Sequence, residues 1–174
     1  VFERQRIEIR AQRDRMLTSD RPLEIAREMH DEAVRLFLAA TLPSSRVSSA
    51  HLRALAEDLT TVLGHPPPAA LRSRRRDQVV AVAHQLVATS WDARERQAEL
   101  GPELARRIML QVLDQRWSQH LAALDHLQTA MWLTPARGAD PLEHYQRRTD
   151  EMFDGLQYLV HRDTLGYCLQ ATAE

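Results

Sequence analysis

The chain contains no lysine and no asparagine among its 174 residues, a single cysteine (Cys168), only five glycines and 5% aromatic residues. Each shortage excludes something. A phosphate-cradling loop of the form GxxxxGK[ST] needs its lysine, so the usual nucleotide-binding loop cannot be built here. One cysteine closes no internal disulfide. Scarce glycine and aromatic residues suit an all-α fold better than a sheet. No apolar run approaches the roughly 20 residues that span a bilayer. The opening Val1-Phe-Glu-Arg4 is charged at once and reads as no signal peptide, so a cytoplasmic location is expected. A formal charge of −1 offers nucleic acid no global attraction, and none is expected as a partner. At 44% apolar residues, the chain has material for one sizeable core or two small ones.

What is present is helical periodicity. Phe2, Ile9 and Met16, with Gln5 and Gln12 as candidates, share one face of a first helix from about Phe2 to Leu17. Asp20 or Ser19 can cap a second helix, Pro22 to about Ala40, whose inner face is Ile25, Met29, Ala33, Leu36 with Phe37, and Ala40. The serine-rich stretch Thr41–Ser49 is a loop and a domain boundary. A third helix runs from Ala50 to about Leu63, ended by Gly64 and three prolines, and a fourth starts near Ala69 or Arg72 and reaches past Trp91. After Gly101-Pro102 comes a long helix with Leu110, Leu113, Trp117, Leu121, Leu124, Leu127 or Gln128, and Met131 along one stripe. Met109 to Leu133 alone would extend on the order of 35–40 Å. Pro135 and Gly138 stop it. Asp140 and Pro141 can start a last helix with Leu142, Tyr145, Met152, Leu156, Leu159 with Val160, and Tyr167 inward, folded back antiparallel on the long one.

The residues of that hairpin carry more than periodicity. The run MLQVLDQRWSQHLAALDHL from Met109 to Leu127 resembles the helical scaffold of SecA, the ATP-driven motor of bacterial protein export, with its pattern LQxLDxxWxxHLxxMDxLRxG. Asp140, Pro141, Glu143 and Tyr145 are similar to the DPxxEY turn that follows the first helix of the family's two-helix finger, and Met152-Phe153 to its later Met-Phe pair. The start of the chain, Val1 to Leu17, resembles the opening of the family's long scaffold helix, VxxxQRxxIYxxRxxxL. The resemblance covers both ends; residues 44–101 match no pattern by eye. It implies long scaffold helices in residues 1–43 and 102–174, the second part carrying the finger, with a small inserted helical wing at 44–101.

On this resemblance the chain is a non-catalytic scaffold and wing fragment. It would couple ATPase lobes of the same protein to the SecY channel and regulate ATP hydrolysis. ATP and magnesium would belong to the full-length protein and no cofactor to this part. SecY, the preprotein and the nucleotide-binding lobes are the implied partners, and the location is the cytoplasmic face of the membrane. Trp117 would be a scaffold contact. Thr134, Pro135, Ala136, Arg137 and Gly138 would form the finger tip that touches channel or substrate. Ala136 stands where the family usually carries a bulky residue, often tyrosine, which points to a divergent or accessory SecA.

Other constellations add little chemistry. Arg72, Arg74, Arg75 and Arg76 read first as a solvated helix start beside Asp77, with lipid head groups or a partner as the alternative contact. Trp132 either closes the hairpin core or inserts into a partner or a membrane interface. His120 and His126 share no helix face, no His-Glu-x-x-His motif occurs, and no metal or catalytic residue is expected. Cys168 reads as a small buried hydrophobe. The rival reading is a free-standing helical adaptor that docks a partner protein through its hairpin.

Overall fold

The computed structural model describes residues 2–42, 47–67, 75–97, 99–133 and 141–171, without the side chains of 131–133 and 141. Six α-helices organise them: α1 (Phe2–Thr18), α2 (Pro22–Thr41), α3 (Ser49–Leu63), α4 (Arg76–Arg96), α5 (Pro102–Leu133) and α6 (Pro141–Gln170). No strand occurs among the described residues, as expected of an all-α chain.

Prolines and small polar residues set the boundaries. Pro22 opens α2 and Pro102 opens α5, where a missing N–H costs nothing. α3 starts with a capping box in which Ser48 Oγ accepts from the His51 N–H and His51 Nδ1 accepts from the Ser48 N–H. It ends at Gly64, whose φ of 76° is the left-handed conformation that glycine adopts freely. The expected side-chain cap on α2 is absent; Ser19 Oγ accepts from the Arg21 N–H one turn early, and Arg21 takes the cap position. The fourth helix is described from Arg76, and the expected start near Ala69 or Arg72 lies outside the described residues.

α5 and α6 form a long antiparallel pair. α2 packs on α5 and α6, α3 on α6, and α4 against α2, α3 and α6. One core joins all six helices, including Ile9, Phe37, Leu55, Leu59, Trp91, Met109, Leu113, Val160 and Leu165. α6 is the shared wall of this assembly. α1 is attached differently: Phe2 lies by Trp117, Arg13 by Asp114 and Met16 by Arg106, so α1 runs antiparallel to α5. Its Gln5 and Gln12 meet Thr149 and Gln157, so it runs parallel to α6.

The inner stripe of α5 differs from the leucine series. Leu121 is 36% exposed whereas His120 is 6% exposed, and the buried ridge is Ala105, Ile108, Met109, Val112, Leu113, His120 and Leu124. The ridge is broad near Pro102, where several helices crowd α5, and narrows toward the hairpin tip. On α6, Leu142 and Tyr167 are exposed rather than inward; Thr149, Phe153, Leu156, Val160, Thr164 and Cys168 form its buried side. On α2, Leu38 replaces Ala40 on the inner face and Leu36 is half-buried. No helix among the described residues is long and apolar enough to cross a membrane.

Candidate functional site

The distinctive chemistry lies in the seam between α1 and the α5–α6 hairpin. Gln5 is fully buried. Its amide nitrogen donates to the Thr149 carbonyl of α6 at 3.2 Å, and its oxygen lies 3.1 Å from His120 Nε2 of α5. A carbonyl can only accept, so the amide nitrogen must face Thr149 and the oxygen must face His120. His120 therefore carries its proton on Nε2. Burial lowers the pKa of this histidine, which keeps the ring neutral.

Rings enclose the contact. His120 stacks on Trp117 with centroids 5.4 Å apart and tilts against Phe153 at 5.9 Å. Phe2 of α1 stacks on the outer side of Trp117 at 6.2 Å and is itself partly exposed. Trp117 is thus a half-buried packing residue that joins α1 to α5.

Around this centre α1 is tied by charge. Arg4 pairs with Asp150 at 2.8 Å and Arg13 with Asp114 at 3.0 Å. At the other end of α1, the Arg106 guanidinium donates to the carbonyls of Met16, Leu17 and Ser19 at 2.7, 2.6 and 2.9 Å. The Met16 and Leu17 carbonyls lie in the last turn of α1, where the helix offers no N–H to them, and the guanidinium supplies a donor along with a charge that suits the negative helix end. Further along the hairpin, Asp163 of α6 takes Arg116 Nε of α5 at 2.6 Å and both Nε and Nη2 of Arg162.

The other expected positions fall apart from this seam. Thr134, Pro135, Ala136, Arg137 and Gly138 lie outside the described residues, as do Arg72 and Arg74 and the Trp132 side chain. Arg75 is exposed just before α4, 3.9 Å from Asp77, and Arg76 is half-buried at its first residue. Cys168 is buried near the end of α6, and desolvation pushes its thiol pKa up to about 12. No group of histidine, cysteine or acidic residues able to hold a metal ion occurs among the described residues.

Sequence reasoning named Trp117 and admitted Gln5 to the inner face of α1, but missed the link to Thr149 and the grip of Arg106. Thr149 does sit on a helical series with Phe153, Leu156 and Val160, which marks it as inward-facing. Arg106 left no such signal, because its partners are backbone oxygens distant in the chain.

A model of the SecA wing and scaffold domain matches residues 1–172. The protein translocase subunit SecA of Nocardioides sp. (strain ATCC BAA-499 / JS614) is 35% identical over 96 residues, covering 53% of this chain and 10% of that protein. The subunit of the same name from Thermosynechococcus vestitus is 28% identical over 174 residues, 95% of this chain and 19% of its own length. In Streptomyces coelicolor the figure is 37% over 83 residues, 47% of this chain and 9% of the relative. The chain thus spans between about a tenth and a fifth of the length of these relatives. With α1 laid in register along a two-helix hairpin and the match running almost from end to end, the chain belongs to the SecA wing and scaffold family.

Proposed function

We propose that this chain is the non-catalytic scaffold and wing part of a SecA-like protein-export motor. In this reading residues 1–43 and 102–174 form the scaffold and 44–101 the inserted wing. The scaffold couples ATPase lobes of the same protein to a SecY channel and regulates their ATP hydrolysis. With no lysine for a phosphate-cradling loop, this part leaves ATP and magnesium to those lobes. The observation that carries the reading is the seating of α1 on the α5–α6 hairpin. A movement imposed on α1 reaches the hairpin through Gln5, Arg13 and Arg106 rather than being lost in a loose contact. Trp117 then supports the same contact and faces a nucleotide-binding lobe with its exposed edge. The basic run Arg72, Arg74, Arg75 and Arg76 would add peripheral contact with anionic lipid.

The test is a photocrosslinker placed at Ala136 or Arg137 of the full-length protein during export into membrane vesicles. Capture of SecY or of the translocating polypeptide is expected. Export that proceeds with neither captured removes the finger from the mechanism.

A further inference from the structure

The buried link between Gln5, His120 and Thr149 is an unusual way to fasten a helix. α2 buries nine residues along its length, Ile25, Val34 and Phe37 among them, whereas α1 buries only Gln5, Ile9 and Met16. One of the three buried side chains of α1 is therefore polar, and it is also the only one whose position is fixed by directional bonds. Apolar contacts tolerate sliding by a fraction of a turn. A primary amide held between a ring N–H and a carbonyl does not, because displacement leaves a buried donor and a buried acceptor without partners. The stack of Phe2, Trp117 and His120, with Phe153 tilted against it, holds the imidazole plane that presents this N–H.

The geometry points to Gln5 and His120 as positioning residues: their hydrogen bond, with the Thr149 carbonyl, sets the register of α1 on the hairpin and thereby transmits movement of α1 to it. This rests on the motor reading above for its consequence but not for the register itself. The residues need touch neither nucleotide nor polypeptide. They act by allowing α1 one seat instead of several.

A merely structural role and a positioning role make different demands on a double substitution. Gln5→Met keeps the length of the side chain, and His120→Phe keeps a ring between Trp117 and Phe153. Each alone strands the partner's polar atom in the core, so each lowers the melting temperature. Together they leave an apolar contact of similar volume, and thermal stability recovers. Register does not. In full-length protein carrying spin labels at the exposed positions Arg10→Cys and Ser118→Cys, the parent gives one narrow distance distribution. Cys168 is buried and takes no label in the folded state. Both single variants and the double broaden the distribution. In the same proteins the ratio of polypeptide-stimulated to basal ATP hydrolysis falls about fivefold or more, the lower end of ordinary coupling between sites.

A double variant that regains stability together with a narrow distribution and the parental ratio overturns the proposal, since the link would then be packing alone. A parental protein without polypeptide-stimulated hydrolysis refutes the motor reading instead. The distance distributions then decide the register by themselves: broadening in the variants upholds it, and an unchanged narrow distribution overturns it.

Discussion

Asp163 shows how unevenly neighbouring ion pairs weigh. Its side chain is 12% exposed and carries two guanidinium groups, Arg116 across the hairpin and Arg162 beside it. Arg116 also donates to Gln119 Oε1 at 2.7 Å, which braces it from its own helix. Removing the shared carboxylate by Asp163→Ala leaves both cations without their partner and should lower unfolding free energy by about 2 kcal/mol, as for hydrogen bonds to charged groups. Arg162→Ala should cost less than about 1 kcal/mol, because that side chain is more open to water and Arg116 keeps Asp163 satisfied. Denaturant titration of the two variants measures the ordering; equal losses would mean that Arg116 is not braced as the geometry shows. Surface pairs such as Arg4 with Asp150 lie more than a third open on both sides and contribute far less.

At the scale of elements, much of the chain could be read without a structure. The limits of α1, α2, α3 and α5 and the start of α6 follow from proline, glycine and serine and agree within a residue or two with what is observed. The faces were harder. Counting leucines placed Leu121 inside and overlooked His120, because a periodicity built on apolar residues cannot see a polar residue whose hydrogen bond makes burial tolerable. Tyr167 fails for another reason: it is exposed at the rim of an open groove that it shares with Ile108 and Gln111 of α5, near the end of α6. At the end of α1 the sequence marks the boundary but not what holds it, because that is Arg106, about ninety residues away. Arg106→Ala should therefore fray α1 from its last turn, with amide exchange around Thr18 and Ser19 about tenfold faster, in keeping with local opening. Arg106→Lys should not restore protection, because an ammonium lacks the planar fork that reaches Met16, Leu17 and Ser19 together. Recovery in the lysine variant would show that charge alone holds the helix end.

Over the whole molecule, three histidines tie stability to acidity. His30 and His120 are buried and His161 is half-buried, and for each the desolvation of the charged form is the main influence, lowering the pKa. Asp31 opposes this at His30, where Nδ1 lies 2.7 Å from Asp31 Oδ1, and Glu32 opposes it at His161. The folded chain therefore binds fewer protons than the unfolded chain below the ordinary histidine value of about 6.5. Stability is intact above that pH and declines as pH falls from there through the lowered values. The melting temperature should drop between pH 7.5 and pH 5.5, and His161→Leu should make the drop smaller. A melting temperature indifferent to pH over this interval would show that the histidines are hydrated in the folded chain. What joins these groups is α6, on which four of the other helices pack directly and to which α1 is hydrogen-bonded.

The base of the hairpin has a consequence of its own. There two helix ends meet side chains from elsewhere: α1 ends on the guanidinium of Arg106, and α3 ends on the neutral amide of Gln170, which donates to the carbonyls of Thr61 and Val62 at 2.7 and 3.0 Å. Both helices thus present negative ends to the same region, but only one is met by a full charge. Dissolved ions screen the first attachment and barely touch the second. Raising the ionic strength should therefore weaken the seat of α1 more than that of α3.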